Sequence, residues 1–127
     1  MEQYLIDSNI ISGFFSNSYS LPAMRLIASA IDRVPIISVI TQIEALSWVN
    51  KDKSKETILK SFVADAIIVQ LNSEIVEICI KLRRSKKIKT PDAIIAATAI
   101  ANSYTLISTD KDFYGIPNLK LINPKEL

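Results

Sequence analysis

Short apolar segments alternate with longer helical patterns along the chain, and this alternation constrains the fold more than any other feature of the sequence. The segments predicted to be strands are residues 3–6, 36–39, 67–70, 104–108 and 119–122. The stretches predicted to be helices lie near residues 22–32, 40–50, 54–64, 73–87 and 91–102. Strands that alternate with helices indicate βαβ units, in which helices cover both faces of a buried parallel sheet. The sequence therefore predicts an α/β fold built on a parallel sheet.

The composition indicates a packed globular domain with a restricted chemistry. The chain has 127 residues, of which 49% are hydrophobic, and this length fits one domain. Because the sequence contains no histidine, Ser-His-Asp and Cys-His nucleophile schemes and histidine-ligated zinc sites are excluded. The single cysteine, Cys79, excludes an intrachain disulfide and is expected to be a buried thiol on a helix. A net charge of +2 does not by itself indicate a nucleic-acid partner.

The first residues do not have the character of a targeting segment. The chain begins MEQYLID, with acidic residues where a signal peptide carries positive charge. No apolar run reaches the ~18 residues that a membrane-spanning helix needs. We therefore expect a cytoplasmic protein that makes no contact with a membrane, and the absence of disulfides agrees with a reducing compartment.

Acidic residues directly follow two of the predicted strands. Asp7 comes after the first strand, and Asp110 and Asp112 come after the fourth. Sites in open α/β sheets form at the carboxyl ends of strands, so these positions favour a function. Asp7 fits equally well as the N-cap of a following short helix, and the other two fit a turn or a short helical segment. Asp110 is the stronger candidate of that pair because it lies nearer the strand end.

Two further acidic residues lie on predicted helices. Glu44 shares one helical face with Ile40 and Trp48, and no lysine or arginine lies within a turn of it. It is therefore either a boundary residue with its carboxylate in water or a member of a site. Asp92 lies in the first turn of the helix in TPDAIIAATA, where Thr90 is the expected N-cap. Asp92 either interacts with the helix dipole or belongs to a site.

Taken together, the carboxylates indicate a cation site. Asp7, Asp92 and Asp110 are expected at one edge of the sheet, and Glu44 closely follows the second strand. Carboxylates that face one pocket repel each other, and without a cation some of them take up protons. A hard divalent ion removes this repulsion, and Mg²⁺ or Mn²⁺ suits a few carboxylates together with waters. Such an ion promotes hydrolysis at phosphorus.

Four segments, LIDSN, TQIEAL, TPDAIIAATA and LISTDKDF, closely resemble the motifs of PIN-domain ribonucleases, specifically VapC-type toxins of toxin–antitoxin pairs. The segments occur in the family's order, and the resemblance covers essentially the whole chain, which implies a single PIN domain over residues 1–127. The segment PDAIIAATA, together with the later STDKDF, is the most specific part. The resemblance implies a three-layer α/β/α sandwich with a mainly parallel central sheet.

The resemblance also implies a role for each acidic residue. Asp7 and Asp92 would bind Mg²⁺ (or Mn²⁺) directly, Glu44 would complete the pocket, and Asp110 would be the fourth catalytic acid. The auxiliary polar residues around the pocket would be Asn9, Thr109 and Asp112. Together they would support Mg²⁺-dependent hydrolysis of RNA phosphodiester bonds. The implied partners are the RNA substrate, a small antitoxin that holds the enzyme inactive, and a second copy of the chain in a homodimer.

Basic residues are concentrated directly before the last acidic helix. The stretch KLRRSKKIK, residues 81–89, carries six of them. The candidates for contacts with the RNA backbone are Arg83, Arg84, Lys86, Lys87 and Lys89. Lysine and arginine are also favoured at helix C-termini and in solvated loops, so both interpretations stand. The aromatic residues Phe14, Phe15, Phe62 and Trp48 are expected in the core or at an interface and not as platforms for base stacking.

Other classes of function fit the sequence less well. Phospho-aspartate phosphatases and receiver domains also use strand-end aspartates, but Asn9 stands where such a phosphatase has its second aspartate. A non-catalytic α/β interaction module leaves the intact acidic set unexplained. A nuclease that acts on DNA or structured nucleic acid is an alternative within the same fold, because the metal site does not distinguish the sugars.

Overall fold

A computed structural model describes residues 2–127 of the chain. The strands are β1 (Tyr4–Ile6), β2 (Ile36–Ser38), β3 (Ile67–Val69), β4 (Thr105–Ile107) and β5 (Lys120–Ile122). The helices are α1 (Ser8–Phe15), α2 (Leu21–Asp32), α3 (Val39–Ser47), α4 (Lys53–Asp65), α5 (Ser73–Ser85) and α6 (Thr90–Asn102). Short 3₁₀ turns at Lys111–Phe113 and Pro124–Glu126 stand before and after β5.

The five strands form one sheet in the order β3-β2-β1-β4-β5, and every neighbouring pair is parallel. The chain builds outward from the central strand β1, first to β2 and β3 on one side and later to β4 and β5 on the other. The strand order therefore reverses between β1 and β4, and a crevice opens beyond the carboxyl ends of strands at such a point. The residues that follow β1 and β4 lie at this crevice.

Apolar residues of the strands pack alternately on the two faces of the sheet, as the two-residue period of a strand requires. Leu5, Ile36 and Leu106 belong to a core cluster that includes buried residues of α5 and α6. Ile6, Ile37 and Ile107 belong to a second cluster with buried residues of α1, α2 and α4. This arrangement is the predicted three-layer α/β/α sandwich, and its sheet is parallel throughout.

The predicted strands are all present, and their ends agree to within one residue. The predictions for residues 40–50 and 73–87 extend the helices three and two residues too far, and the predicted N-cap of the last helix, Thr90, is wrong. Helix α1 is the short helix that Asp7 would cap in one of its two interpretations, but its extent was not predicted. Helix α3 ends at Ser47, so Trp48 lies at its C-cap and does not continue the helical face of Glu44. Helix α6 begins at Thr90, and Lys89 stands at the N-cap without a capping hydrogen bond from its side chain.

Two simpler expectations can be compared with the structure directly. The Cys79 side chain is buried against α6 and the sheet, with 8% of its surface exposed, as predicted. Across residues 2–127, no helix is both long enough and apolar enough to cross a membrane.

Candidate active site

Asp7 is held at the carboxyl end of β1 by three hydrogen bonds. Its Oδ1 accepts the backbone N–H of Ser8 at 2.8 Å. Its Oδ2 accepts the Ser108 hydroxyl at 2.7 Å and the Asn9 side-chain amide at 3.1 Å. Asp7 is thus the N-cap of α1 and, at the same time, a buried carboxylate at the crevice of the sheet. The sequence left open whether Asp7 caps a helix or belongs to a site, and its position allows both.

The environment of Asp7 favours its protonated form. Burial raises the pKa of Asp7, and the negative charge of Asp110 raises the pKa further. The hydrogen bonds from Ser108, Ser8 and Asn9 act in the opposite direction, because they stabilise the carboxylate, but they do not cancel the effect of burial. A cation near Asp7 would act against this shift and stabilise the charged form.

A second group of acids lies where α6 begins and β4 ends. One carboxylate oxygen from each of Asp92, Asp110 and Asp112 lies within 4.8 Å of the others. Asp92 is the third residue of α6. Asp110 is the N-cap of the following 3₁₀ turn, and its Oδ1 accepts the backbone N–H of Asp112 at 2.9 Å. Asp112 is exposed, but the turn brings its carboxylate to the same point as the other two.

Asp92 is electrostatically coupled to the rest of this edge. Its pKa is raised, first by burial and then by the negative charges of Asp110, Asp7 and Asp112, while Lys89 partly offsets the effect. Asp92 therefore lies close enough to Asp7, as well as to Asp110 and Asp112, for the four carboxylates to form one electronegative pocket.

Glu44 approaches the same pocket from α3. The Ser8 hydroxyl donates a hydrogen bond to its Oε1 at 3.3 Å. Its pKa is raised by burial of the carboxylate and by the charges of Asp7 and Asp92, although the residue as a whole is exposed. Glu44 is thus a boundary residue that also faces the acidic pocket.

A polar frame fixes the two strand ends to each other. The Asn9 side chain donates to the Ser108 hydroxyl at 3.3 Å and accepts the backbone N–H of Thr109 at 3.3 Å. The Ser108 hydroxyl also accepts the backbone N–H of Asp110 at 3.1 Å. Asn9 therefore lies between the two strand ends, and Thr109 joins this frame through its backbone.

Sequence reasoning missed Ser8 and Ser108. Ser108 is fully buried and bridges Asp7 and Asp110. A signal for it was present, since a serine directly after an apolar strand and before an acidic turn occupies the strand end where sites form.

The basic stretch 81–89 is divided between internal contacts and solvent. Lys86 donates to the backbone carbonyl of Tyr114 at 2.7 Å, and Arg83 donates through Nε to the carbonyl of Ile88 at 3.3 Å. These bonds tie the end of α5 to its neighbours. Every basic residue of the stretch except Lys86 is exposed. Lys89 immediately precedes α6 and its charge acts on Asp92.

The donor set fits a hard divalent cation. The ligand atoms offered are all carboxylate oxygens, which Mg²⁺ and Mn²⁺ prefer. Within residues 2–127 the only ion pair joins Lys53 to Glu56, so no lysine or arginine neutralises the acids directly. Among residues 2–127, the acids whose oxygens lie together within 4.8 Å are Asp92, Asp110 and Asp112, whereas the resemblance implied Asp7 and Asp92 as the direct ligands.

Comparison with known proteins agrees with this geometry. Residues 4–119 match the PIN domain. A toxin–antitoxin complex from Klebsiella pneumoniae is 31% identical, with a TM-score of 0.75, covering 96% of this chain and 98% of that chain. VapBC2 from Rickettsia felis, bound to a DNA fragment from its promoter, is 26% identical with a TM-score of 0.76, covering 94% and 97%. VapBC-1 from nontypeable Haemophilus influenzae has the same fold, at 20% identity and a TM-score of 0.74, covering 94% and 96%. No curated protein matches the chain in sequence.

Proposed function

We propose that this chain, which belongs to the PIN domain family and is of the VapC type, is a divalent-metal-dependent endoribonuclease that acts as the toxin of a toxin–antitoxin pair. Members of the family are nucleases, and the neighbours of known structure are toxin–antitoxin proteins. The observation that carries the proposal is the convergence of acids from four different elements on one edge of the sheet. Three of these acids, Asp7, Glu44 and Asp92, have a raised pKa, first because they are buried and then because other carboxylates lie near them, and a bound cation would offset both effects.

Mg²⁺, or Mn²⁺ in its place, would be held by carboxylates of this pocket, namely those of Asp7, Asp92 and Asp110, together with Asp112. When bound, the ion lowers the pKa of a coordinated water and balances charge on a phosphate. The chain's own residues keep the pocket in the geometry that this requires. Ser108 and Asn9 hold the Asp7 carboxylate, and the 3₁₀ turn holds Asp110.

The chain contains no histidine, so the carboxylates of the pocket are the side chains that we propose for proton transfer. Glu44 is the best placed proton acceptor. Its carboxylate is at the solvent boundary. Its pKa is shifted upward, which is the direction that makes a carboxylate a stronger base. The hydrogen bond from Ser8 orients the carboxylate toward the pocket.

RNA would approach an acidic pocket along neighbouring positive charge. Arg84, Lys87 and Lys89 are exposed on the stretch that precedes α6, and the charge of Lys89 acts on Asp92, so these residues are proposed as contacts with the RNA backbone. Arg83 and Lys86 belong to the same stretch but also hold the local structure, so their replacement would affect both folding and binding.

A small antitoxin and a second copy of the chain are the proposed protein partners. The solved toxin–antitoxin complexes support the first. The second is supported by exposed apolar side chains on α3 and α5, which include Ile43, Leu46, Val76 and Ile80. Size-exclusion chromatography with light scattering would detect the homodimer.

The proposed activity is tested by incubating the purified protein with single-stranded RNA and with DNA of the same sequence, each with Mg²⁺. We expect cleavage of RNA by the wild type and a loss of at least a hundredfold in Asp92→Asn. Glu74→Gln is the matched control, because Glu74 is also a first-turn acid but lies on α5, outside the acidic pocket. Cleavage of DNA in place of RNA, or equal activity of Asp92→Asn, would contradict the proposal.

The proposed toxin role is tested in cells. Induction of the wild type alone should arrest growth, whereas Asp7→Asn and Asp92→Asn should not. Wild-type expression that harms growth no more than these variants would refute the toxin role, even if the protein cleaves RNA in vitro.

A further inference from the structure

Two of the clustered acids, Asp110 and Asp112, are carried by a short surface segment, residues 109–113, which we call the acidic turn. Within it, the Phe113 N–H donates to the Asp110 carbonyl at a long 3.4 Å. A 3₁₀ turn of three residues has poor hydrogen-bond geometry, so contacts from outside must fix its position.

Electrostatic repulsion acts to displace the acidic turn from α6. Carboxylate oxygens of Asp92, Asp110 and Asp112 lie within 4.8 Å of one another, and like charges at that separation repel. The Asp112 side chain is exposed, so packing does not hold it in the cluster. The position of its carboxylate therefore depends on how firmly the backbone of the turn is held.

The two ends of the acidic turn are both attached at the carboxyl end of β5. Before the turn, the Ser108 N–H donates to the Ile122 carbonyl at 3.1 Å. After the turn, the Tyr114 hydroxyl accepts the side-chain amide of Asn123 at 2.8 Å. Asn123 is itself buried, and its Oδ1 accepts the Lys125 N–H at 3.0 Å, so it is a fixed point for Tyr114.

Tyr114 makes two further hydrogen bonds to residues outside the turn. Its hydroxyl donates to the carboxylate of Glu126, on the second 3₁₀ turn. Its backbone carbonyl accepts the Lys86 ammonium group at 2.7 Å, from the C-cap of α5. The Tyr114 side chain is 38% exposed, so these polar contacts fix it more than burial does.

The buried side of the acidic turn is anchored separately. Phe113 is 1% exposed and belongs to the core cluster that includes Ala93 and Ala96 of α6. This contact sets the distance of the turn from the helix that carries Asp92, but a single anchor permits rotation about it. The hydrogen bonds of Tyr114, on the next residue, oppose that rotation.

We propose that Tyr114 and Glu126 are positioning residues that keep the acidic turn beside Asp92 and thereby set the affinity of the pocket for its divalent cation. This inference rests on the proposed metal-dependent function. A purely structural role is the alternative, in which loss of the Tyr114–Glu126 bond changes stability and leaves the affinity for the cation unchanged.

The first test is Mn²⁺ binding to the full-length protein without RNA, measured by isothermal titration calorimetry. Tyr114→Phe retains the ring and removes the hydroxyl, and we expect it to bind Mn²⁺ about tenfold more weakly, as for other residues that hold metal ligands from behind. Tyr4→Phe is the matched control. It also loses a tyrosine–glutamate hydrogen bond, the one to Glu2 at 2.8 Å, but at the amino end of β1. Its affinity should equal that of the wild type.

Variants of Glu126 separate positioning from charge. Glu126→Gln keeps an oxygen that can accept the Tyr114 hydroxyl, so its Mn²⁺ affinity should stay near that of the wild type. Glu126→Ala should be as weak as Tyr114→Phe. The double variant Tyr114→Phe/Glu126→Ala should be no weaker than either single variant, because both substitutions remove the same bond.

Lys86→Met tests the same inference through the sign of the effect. Loss of a positive charge near the acids would by itself tighten cation binding. Loss of the bond to the Tyr114 carbonyl would loosen the acidic turn, and we expect this effect to prevail, so that Lys86→Met binds Mn²⁺ more weakly than the wild type.

Two further measurements need no calorimetry. In EDTA, the backbone amides of residues 110–114 should exchange with deuterium faster in Tyr114→Phe than in the wild type or Tyr4→Phe. In RNA cleavage, Tyr114→Phe should need about ten times more Mg²⁺ for half-maximal rate, with KM for RNA unchanged.

The inference is overturned if Tyr114→Phe binds Mn²⁺ as tightly as the wild type, or if amide exchange in the acidic turn is unchanged. It is also overturned if Glu126→Gln is as weak as Glu126→Ala, since charge and not position would then be responsible. If the wild type itself binds no Mn²⁺, the metal-dependent function fails, and the exchange experiment alone decides whether Tyr114 positions the turn.

Discussion

The repulsion among the clustered acids should make Asp92→Asn more stable than the wild type when no metal is present. Oxygens of Asp92, Asp110 and Asp112 lie within 4.8 Å of one another. Two unit charges at that separation repel by about 0.9 kcal/mol in the dielectric of water. The substitution removes two such repulsions, about 1.7 kcal/mol, and loses about 0.3–1 kcal/mol from the interaction of Asp92 with the helix dipole. The expected gain in the free energy of unfolding is therefore about 1 kcal/mol, or about 3–4 °C in Tm.

The gain in the free energy of unfolding of Asp92→Asn should be larger at neutral pH than in acid. Because burial and the neighbouring acids raise the pKa of Asp92, the folded metal-free protein binds this proton more tightly than the unfolded chain. The stability that Asp92 confers is thus present at low pH and is lost as the pH rises through its raised pKa. Asp92→Asn should be more stable than the wild type at neutral pH, and the difference should vanish below the ordinary pKa of 3.8.

Urea denaturation in EDTA at low salt, across this pH range, measures the effect. Glu74→Gln is the control, because it loses the interaction with a helix dipole without relieving any repulsion in the acidic cluster. Added Mg²⁺ should stabilise the wild type more than Asp92→Asn. The reasoning is refuted if Asp92→Asn is no more stable than Glu74→Gln at neutral pH, or if its gain persists in acid.

Three further substitutions test the surrounding structure. Ser108→Ala removes the 2.7 Å hydrogen bond to Asp7, so the pKa of Asp7 should rise further and the acid limb of the pH–activity profile should move to higher pH. Gly13→Ala should lower the free energy of unfolding by about 1–3 kcal/mol, measured in urea, because the added Cβ collides with the Tyr19 ring. A higher free energy of unfolding for Gly13→Ala would contradict this expectation, because it would show that the Tyr19 ring moves aside without cost. Thr41→Val should raise the melting temperature, since the buried Thr41 hydroxyl has no hydrogen-bond partner within residues 2–127; a large decrease would contradict this.

The sequence predicted the sheet and the position of the acids well because both follow from local patterns. Each strand is a short apolar run between polar residues, and the register of β1 with β4 brings the residues after Ile6 and Ile107 to one edge. Once a parallel sheet is assumed, Asp7 and Asp110 must approach each other. That step needs no knowledge of side-chain conformation.

The elements that the sequence did not predict depend on tertiary contacts. Helix α1 has only eight residues and includes Gly13, a poor helix former, whose missing Cβ makes room for Tyr19. The local pattern at Asp112 predicts only a turn, and it was the family resemblance that implied a place beside the pocket, where the 3₁₀ turn carries its carboxylate. Ser108 gains its importance from a bond to a residue 101 positions away. No local sequence pattern predicts a hydrogen bond between residues so far apart in the chain.

The central claim is that the acids at the edge of the sheet hold a divalent cation on which RNA hydrolysis depends. The most direct measurement is the initial rate of RNA cleavage by one preparation of the wild type, first with Mg²⁺, then with excess EDTA, and then with Mg²⁺ restored. We predict that cleavage is abolished by the chelator and recovered with the metal, and that Asp92→Asn is inactive in all three conditions. Cleavage that continues unchanged in EDTA would contradict the claim.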